Sequence, residues 1–493
     1  MTSLSVLVPV YNERFLVAAS LERLKVLATS TDLERIEVIV VDDASKDDTP
    51  AVLEQFQRDL RPDPKMTWRF LRHERNGGKG QAIRTALEHA TCEITVIHDA
   101  DLEYHPRDLL RIVEVFVQEN ADAVFGSRFI GGEVRRVLLY RHQLGNRLLT
   151  FLTNLVTNLN LTDMETCYKA VRTDLLKSIP LFSRDFRIEP ELTIKLGKRH
   201  ATIFEVPISY SGRTYAEGKK INWRDGVAAL WAIIRFALSD KIYRDDEYGS
   251  QILARLSRAP RFNAWMADTI RPYLGSSVLE IGSGVGNLTQ RLLPRDRYVA
   301  SDINPVYLQT LANLQEDRPY LRSSYCDVTD LATFPHESGP YDTVICLNVI
   351  EHVTDDRASL RNIGSVLAEG GRAIVLVPQG QWNFGTLDEV LGHRRRYDEA
   401  SLRKLAADCG LEVERVLQFN RVGTIAWYLN GKMMRRRTFG LGQILVLNTL
   451  TPIFRMLDRW LPVPPLSLIA VLRKPARAAD QVLLQETSRA PAP

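Results

Sequence analysis

Three carboxylates stand at alternate positions directly after an apolar run. The run is EITVI, and Asp99, Asp101 and Glu103 follow it in the stretch HDADLEYHP. Such a run is typical of a buried β-strand, and open α/β sheets bind ligands beyond the carboxyl ends of their strands. Three like charges this close repel one another unless a cation joins them. The pattern therefore predicts Mg²⁺ or Mn²⁺ held together with a substrate diphosphate, the alternative being a solvated acidic turn before a helix at Pro106.

Polar groups also follow the other strand-like runs of the first half. They lie in VPVYNE (8–13), VVDDAS (40–45), the loop NGGKGQA (76–82) and GSRF (126–129). Each motif alone is a common turn. Together they place polar side chains at one rim of a sheet, where the loop N–H groups and Lys79 are predicted to approach an anion at a helix N-terminus.

In this order and spacing, VPVYNE, VVDDAS, GGKG, DADLE and GSRF resemble the family-2 glycosyltransferases. The nearest group is the dolichol/polyprenyl-phosphate sugar transferases, and the resemblance covers roughly residues 1–235. It implies inverting transfer of a sugar from a nucleotide diphosphate to a polyprenyl phosphate. Asp99, Asp101 and Glu103 are then the predicted ligands of a Mg²⁺ or Mn²⁺ ion, and Asp99, Asp101 and Arg128 the predicted catalytic residues. The predicted nucleotide-sugar contacts are Pro9, Tyr11, Glu13, Asp42, Lys79, Asp99, Ala100, Asp101, Arg128, Arg213 and Lys219.

Two departures from the family pattern leave the sugar and the acceptor open. Glu103 stands where mannosyl members often have Gln, and DMETCYK (163–169) stands where many have a Gly-Phe-Arg run. A phosphate acceptor is already an anion and needs no general base, whereas a sugar hydroxyl would normally need one. His98 and His105 are expected to be structural.

A glycine-rich loop opens the second half. In SSVLEIGSGVGNLT (276–289), Gly282, Gly284 and Gly286 follow a strand-like run and precede a helix, which allows a close approach of the backbone to a ligand. Asp302 ends the next run, YVASD, where an acid can accept from ribose hydroxyls. Sites for NAD and sites for S-adenosylmethionine (SAM) both combine a glycine loop with an acidic residue at the end of the next strand.

The G-x-G-x-G spacing, together with LEIGSG, CDVTD (326–330) and CLNVIEHV (346–353), resembles the class I SAM-dependent methyltransferases over about residues 256–473. The resemblance implies a SAM site, with the methionine part beside Glu280 and the glycine loop. The predicted cofactor contacts are Glu280, Gly282, Gly284, Gly286, Asp302, Asp327 and Asn348.

The acceptor side of this half is less defined. Glu351 and His352 are the nearest candidates for an optional base, although a cofactor-side or structural role is favoured. The segment 384–402 either recognises an anionic acceptor or forms a solvated basic face. Its candidate residues are His393, Arg394, Arg396 and Tyr397.

A chain of 493 residues exceeds the size of one hydrophobic core. We expect an α/β protein with two doubly wound domains: a GT-A-like nucleotide-sugar domain at 1–238 and a Rossmann-like methyltransferase domain at 256–474. A linker at 239–255 and a disordered tail at 475–493 complete the chain. The net charge of +4 gives no support for a nucleic-acid partner, and five scattered cysteines fit reduced thiols.

No secretory signal and no apolar run of 18 residues are found, so the sequence predicts a cytoplasmic protein without a spanning helix. The segments 135–156 and 225–244 mix basic and apolar residues. They are predicted to lie in the headgroup region of the cytoplasmic membrane, or else to pack on the catalytic domain or a partner subunit. The whole chain is thus predicted to be bifunctional. The alternatives are a sugar hydroxyl as acceptor and a second half that only binds SAM as a regulatory module.

Overall fold

The computed structural model describes residues 1–119, 121–131, 136–137, 140–213, 223–239, 241–244, 259–315, 318–336, 339–436 and 439–475. The chain divides into two compact units, Met1–Asp245 and Asp246–Pro493. The division falls within the predicted linker, although the residues before it pack on the first unit: the N–H of Arg244 donates to the carbonyl of Ser178 at 2.9 Å. Lys219, most of the linker and the predicted disordered tail lie outside the described residues.

The first unit is built on a seven-stranded sheet. Its strands are β1 Thr2–Val10, β2 Leu33–Asp42, β3 Met66–Arg72, β4 Ile94–Ile97, β5 Ala123–Ser127, β6 Lys169–Arg172 and β7 Ile203–Pro207. They lie in the order β3-β2-β1-β4-β6-β5-β7. Among the described strands of this first sheet, β6 alone runs antiparallel to its neighbours.

Helices cover this sheet, so that β1 is buried along almost its whole length. They are α1 Val17–Leu24, α2 Thr49–Asp59, α3 Lys79–His89, α4 Arg107–Gln118, α5 Tyr140–Thr157, α6 Thr173–Ser178, α7 Ile188–Lys198 and α8 Trp223–Leu238, with a 3-10 helix at Lys25–Thr29. α4 shows why they form: Leu109, Ile112, Val113 and Phe116 recur at helical spacing and are all buried in the core.

The second unit repeats this plan with another seven-stranded sheet. Its strands are β8 Ser277–Ile281, β9 Arg297–Asp302, β10 Leu321–Tyr325, β11 Tyr341–Leu347, β12 Leu367–Pro378, β13 Glu412–Phe419 and β14 Ser467–Arg473. The order is β10-β9-β8-β11-β12-β14-β13, and β14 is antiparallel to both of its neighbours.

Helices precede or connect these strands along the chain. They are α9 Pro260–Ile270, α10 Thr289–Leu292, α11 Pro305–Gln315, α12 Asp356–Val366, α13 Thr386–Leu391, α14 Glu399–Asp408, α15 Arg421–Trp427 and α16 Leu441–Leu457. 3-10 helices occupy Arg271–Tyr273, Leu331–Thr333 and Gln381–Asn383, and a π-helix occupies Tyr428–Met433.

The predicted α/β class with two sheets is confirmed, and both sheets are mixed rather than wholly parallel. The last strand of the chain, β14, is the apolar run SLIAVLR, and α16 precedes it. β6, β7 and β13 were not predicted. β6 has only four residues, and β13 alternates charged and apolar residues with little of its surface buried, so neither shows the apolar run of a central strand.

Candidate functional sites

Asp99, Asp101 and Glu103, here called the acidic rim, follow the buried strand β4 as predicted. Lys79 Nζ lies 2.9 Å from both carboxylate oxygens of Asp99. Arg213 donates from one terminal nitrogen to Asp101 at 2.9 Å and from Nε to Glu103 at 3.2 Å. The side chains of Lys79 and Arg213 therefore place positive charge against the rim carboxylates, where the sequence predicts a metal ion.

The three rim carboxylates do not converge on one point. Among the described residues, their oxygens do not all lie within 4.8 Å of one another. Leu102 has a left-handed backbone conformation with φ +65°, which breaks the strand alternation between Asp101 and Glu103. Glu103 accepts instead from the hydroxyl of Tyr210 at 2.6 Å and from the N–H of Arg213 at 3.0 Å. Glu103 therefore has three protein donors, whereas Asp99 and Asp101 each have one cationic side chain as a partner, which makes Asp99 and Asp101 the better candidates for metal ligands.

Two of the rim carboxylates, Asp99 and Asp101, have opposite pKa shifts. Burial raises the pKa of Asp101 to about 7, with Asp99 and Glu103 adding to the rise and Arg213 opposing it. Burial also disfavours ionised Asp99, but the contact with Lys79 outweighs it and holds the pKa of Asp99 below its ordinary value. Asp101 is therefore the rim group that gains most from a further cation.

The GGKG loop is shaped by the protein itself. The N–H groups of Gly77 and Gly78 donate to the carboxylate of Asp43 at 2.8 and 2.7 Å. Gly78 has φ +89°, and a Cβ there would lie 2.3 Å from the carbonyl oxygen of Arg184. The loop thus needs glycine for its packing, and these two N–H groups, which were predicted to face an anion, already have a protein acceptor.

A chain of alternating charges lies behind the rim. Glu189, in the first turn of α7, accepts from Lys79 at 3.0 Å and from Lys169 at 2.7 Å. Lys169 is 1% exposed and also donates to the carbonyls of Met164 and Thr166. Sequence reasoning missed Glu189 and Lys169. The available signal was the DMETCYK segment, which ends in Lys169 and departs from the family pattern.

Arg128, a predicted nucleotide-sugar contact, is paired with Asp163, the first residue of that segment. Its Nε and one terminal nitrogen donate to Asp163 at 2.6 and 2.7 Å. Asn146 donates to the same carboxylate at 3.1 Å. The guanidinium carbon also lies 5.1 Å from the centre of the Tyr210 ring, so the pair fixes Arg128 beside the rim.

The predicted nucleoside end lies at the carboxyl ends of β1 and β2. Asp42 is 2% exposed; its Oδ1 accepts from the N–H of Ser45, while its Oδ2 is buried without a hydrogen bond, 3.2 Å from Nε of Arg72. Pro9 lies in β1 beside Val41, Tyr11 and Glu13 follow the strand, and Ala100 is buried between the rim carboxylates. A cavity of about 700 Å³ lies after the carboxyl ends of β2 and β3, lined by Ala44, Ser45, Lys46, Arg72, His73, Glu74, Arg75 and Asn76.

Both candidate histidines of this half have protein partners. His98 is 1% exposed, and its ring nitrogens lie 3.1 Å from the Ser20 hydroxyl and 3.0 Å from that of Tyr168. His105 Nδ1 accepts from the N–H of Arg107 at the start of α4. These contacts agree with structural roles.

Glu165 is a further carboxylate of the DMETCYK segment that sequence reasoning passed over. Its Oε1 is buried without a hydrogen-bond partner among the described residues. Burial raises its pKa from 4.5 to about 7, against the attraction of Lys169. A carboxylate in this state disfavours folding whenever it must ionise.

Replacing Glu165 by Gln is expected to stabilise the first unit at alkaline pH and not at acid pH. Below pH 4.5, Glu165 is protonated in the folded and the unfolded chain alike, so folding carries no penalty. The penalty grows as pH rises from 4.5 to 7 and reaches about 3 kcal/mol above that. The apparent Tm of Glu165→Gln should therefore exceed that of wild type by roughly 5–10 °C at pH 8 and by nearly nothing at pH 4.5. Exposed Glu88→Gln is the control, and an equal difference at both pH values would contradict the assignment.

In the second unit, the glycine loop follows β8 in a left-handed backbone conformation that glycine adopts without strain. Gly282, Gly284 and Gly286 have φ values of +73°, +55° and +77°. A Cβ on Gly282 would lie 2.4 Å from Cγ2 of Val349. Asp302, at the end of β9, accepts from the N–H of Gly284 at 2.9 Å and so fixes the loop. The predicted loop and its acidic partner are thus brought together.

Glu280 lies in the core rather than at the open side of this loop. It is 4% exposed, and one of its oxygens accepts from the hydroxyls of Thr289 at 2.6 Å and Tyr298 at 2.8 Å. Burial raises its pKa. These contacts give Glu280 a role in holding the loop and the start of α10.

The remaining predicted cofactor residues follow neighbouring strands. Asp327 comes two residues after β10 and caps the following turn by accepting from Thr329, and Asn348 follows β11 with φ +53° and is exposed. Ile303, next to Asp302, is 60% exposed and was not singled out from the sequence. Such an apolar side chain at a strand end can cover a planar base.

The predicted acceptor lobe is mostly paired within itself. Arg396 is 6% exposed and donates from Nε to Asp388 at 2.8 Å, and the hydroxyl of Tyr397 donates to Asp356 at 2.8 Å. Arg394 is exposed. The prediction of a solvated basic face is therefore wrong for Arg396, because its guanidinium group is buried against the carboxylate of Asp388.

Comparison with known proteins agrees with these two sites. Residues 5–179 match the profile of glycosyl transferase family 2, and residues 279–373 match that of a methyltransferase domain. The first unit therefore carries a match to a family-2 glycosyltransferase domain, and the second unit carries a match to a methyltransferase domain.

The curated relatives align with the first unit. An uncharacterized protein of Methanocaldococcus jannaschii is 28% identical over 222 residues, which are 42% of this chain and 93% of the relative. The UDP-N-acetylglucosamine–dolichyl-phosphate N-acetylglucosaminyltransferase of Methanococcus voltae is 25% identical over 240 residues, 46% of this chain and 93% of the relative. Among solved structures, glucosyl-3-phosphoglycerate synthase of Mycobacterium tuberculosis with Mn²⁺, UDP and phosphoglyceric acid is 19% identical, with a TM-score of 0.38 over 48% of this chain and 78% of that one.

Proposed function

We propose that the first unit transfers a sugar, with inversion and a divalent metal ion, from a nucleotide diphosphate to a polyprenyl phosphate. We propose that the second unit methylates an acceptor with SAM, in the same glycolipid or polysaccharide pathway. The observation that carries the first proposal is the acidic rim, in which Asp101 is 82% buried from solvent, has a pKa near 7 and depends on Arg213 for its positive partner.

The rim fits a hard metal ion by its donor set. Asp99 and Asp101 supply carboxylate oxygens, which Mg²⁺ and Mn²⁺ prefer, at the strand end where a diphosphate would lie. A bound ion would stabilise the charge that develops on the leaving nucleoside diphosphate. Arg213 and Lys79, released from the carboxylates, would then face the phosphates, while Asp163 keeps Arg128 in place beside them. In this role Glu103 positions Arg213.

The nucleoside is expected in the cavity beside Asp42. Lys46, Arg72 and Arg75 line the cavity with positive charge, and Asp42, whose Oδ2 lies 3.2 Å from Nε of Arg72, would help to hold the nucleoside from the end of β2. Pro9, Tyr11 and Glu13 follow the neighbouring strand and would complete the nucleoside site.

Two features support a lipid phosphate as acceptor. The Methanococcus voltae relative is named for a dolichyl-phosphate acceptor. In addition, α5 and α8 leave large apolar side chains exposed: Leu144, Leu148, Phe151, Leu155, Val227, Trp231, Ile234 and Leu238. Arg235 lies over the Trp231 ring at 5.2 Å, which combines a basic and an aromatic group on this surface. No helix in the described ranges has both the length and the apolar composition for crossing a bilayer.

A sugar hydroxyl is the second candidate acceptor, and Glu165 is the observation that favours it. A buried carboxylate without a hydrogen bond on Oε1 and with a pKa near 7 is suited to take a proton from a hydroxyl. With a lipid phosphate as acceptor, the transferred sugar is recovered in the lipid extract. With a sugar hydroxyl as acceptor, it is recovered in the oligosaccharide.

For the second unit, the glycine loop and the strand ends fit SAM. The loop backbone would lie against the methionine part, Asp302 would accept from the ribose hydroxyls, and Asp327 would lie at the adenine edge. The sulfonium is a good leaving group, so positioning of the acceptor supplies most of the catalysis that these residues can give. A SAM-binding regulatory module remains the alternative to turnover.

A single incubation tests both proposals. The full chain is mixed with one labelled nucleotide sugar at a time, polyprenyl phosphate, an oligosaccharide pool, Mn²⁺ or Mg²⁺, and methyl-labelled SAM. We expect the sugar label in the lipid extract only when metal is present, and the methyl label in the same product. Sugar label confined to the oligosaccharide would instead select the hydroxyl acceptor, and SAM binding without any methylated product would select the regulatory module.

A further inference from the structure

Glu351 is a buried carboxylate that the protein does not satisfy. It follows β11, is 0% exposed, and neither of its side-chain oxygens has a hydrogen-bond partner among the described residues. An unpaired carboxylate in such a position is costly unless it binds a proton or a cation. The residues around Glu351 therefore indicate whether its carboxylate is suited to bind a proton or a cation.

Two imidazoles face this carboxylate. One ring nitrogen of His352, one of His393 and one oxygen of Glu351 all lie within 4.8 Å of one another. The His393 Nε2 is 4.0 Å from Glu351 Oε1, too far for a hydrogen bond and close enough for both atoms to bind one ion. The two imidazole rings meet edge to face, with their centres 4.8 Å apart.

The outer contacts of His393 are those of a metal ligand. Its Nδ1 lies 2.9 Å from Asp388, which leaves Nε2 directed toward Glu351. Asp388 is itself fixed by donors from Arg396, Trp427 and the N–H of Gly385. A carboxylate that orients a histidine in this way is the usual second layer of a zinc site.

We propose that Glu351, His352 and His393 bind one divalent transition-metal ion of the Zn²⁺ class in the methyltransferase unit. Two imidazoles and one carboxylate are a ligand set of catalytic zinc sites, which keep a fourth position open. Mg²⁺ and Ca²⁺ prefer oxygen ligands and suit this set less well.

The site adjoins the glycine loop, because Val349, two residues before Glu351, is the side chain that a Cβ on Gly282 would meet. An acceptor hydroxyl in the open position would lose its proton to water more readily. Its oxygen would then bond to the methyl carbon as the carbon–sulfur bond of SAM breaks, releasing the thioether. This role rests on the proposed methyl transfer, whereas the metal site itself does not.

Zinc titration of the full chain, stripped with a chelator that is then removed, tests the site. Wild type is expected to bind one more tight equivalent of Zn²⁺ than Glu351→Gln or His393→Gln. Each substitution should weaken Zn²⁺ binding at that site by more than about 10–100-fold, which is the loss typical of changing a residue that only orients a metal ligand. Exposed His336→Gln and the rim variant Asp101→Asn should keep the equivalent. Equal binding by wild type and both ligand variants would overturn the proposal.

Two measurements keep the test valid if a variant folds poorly. Zn²⁺ should raise the apparent Tm of wild type and not that of Glu351→Gln. Co²⁺ bound to wild type should give the visible absorption of a nitrogen-ligated, low-coordinate ion that Zn²⁺ displaces, and a spectrum of oxygen ligation only would overturn the proposal. Zn²⁺ binding without methyl transfer would count against the proposed function alone, and methyl transfer without Zn²⁺ binding against the metal site alone.

Discussion

Asp101→Asn is expected to lower the rate of sugar transfer by about 10²–10³-fold, the loss typical when one preorganised electrostatic group is removed from an active site. The carboxylate would bind the metal ion that stabilises the leaving diphosphate, and an amide of the same shape carries no charge to do so. The effect should appear in kcat more than in KM, because the charge on the leaving group develops in the transition state.

The same substitution should leave the fold intact. Asp101 gains its main partner from Arg213, and burial with Asp99 and Glu103 nearby disfavours its charge, so removing that charge relieves repulsion. We expect an apparent Tm within a few degrees of wild type. Exposed Glu114→Gln on α4 is the matched control and should keep full activity. Transfer by Asp101→Asn at the wild-type rate would remove the basis for a metal site at the rim.

Gly282→Ala is expected to weaken SAM binding by at least about 10-fold. The left-handed conformation alone costs an alanine about 1–2 kcal/mol, and the added Cβ would lie 2.4 Å from Val349 Cγ2. The loop must therefore move away from the segment that carries Asn348 and Glu351, and the cofactor loses its shaped backbone. Calorimetric titration with SAM measures the loss.

The variant Gly410→Ala is the control that separates the effect of backbone strain at an alanine from the effect of a changed cofactor loop. Gly410 has φ +74°, close to that of Gly282, and a Cβ there would meet nothing within 4 Å. Both variants should lose similar backbone stability, but only Gly282→Ala should lose SAM affinity. Equal SAM affinity in the two variants would show that the loop is not the cofactor site.

The sequence predicted the parts of this chain that local patterns determine. Buried strands such as β1, β2 and β8 are nearly continuous apolar runs, and the residues after them are polar because strand ends reach the surface. The acidic rim and the glycine loop were found for that reason. Short or half-exposed strands such as β6 and β13 lack this pattern and were missed.

The pairing of charges was not predictable, because it depends on contacts between distant segments. Arg128 and Asp163 are 35 residues apart in sequence, and Lys79 and Glu189 are 110 apart. No periodicity indicates which cation meets which carboxylate. The left-handed conformation at Leu102 likewise breaks the strand alternation between Asp101 and Glu103, although their alternate spacing in sequence suggests one shared face.

A crystal structure of the full chain soaked with Mn²⁺ and a nucleoside diphosphate tests the metal site at the rim most directly. We expect an anomalous peak within bonding distance of Asp101 and the diphosphate, with Arg213 moved from the carboxylate to a phosphate oxygen. A nucleotide bound elsewhere, or a rim without manganese in which Arg213 still contacts Asp101, would contradict this expectation.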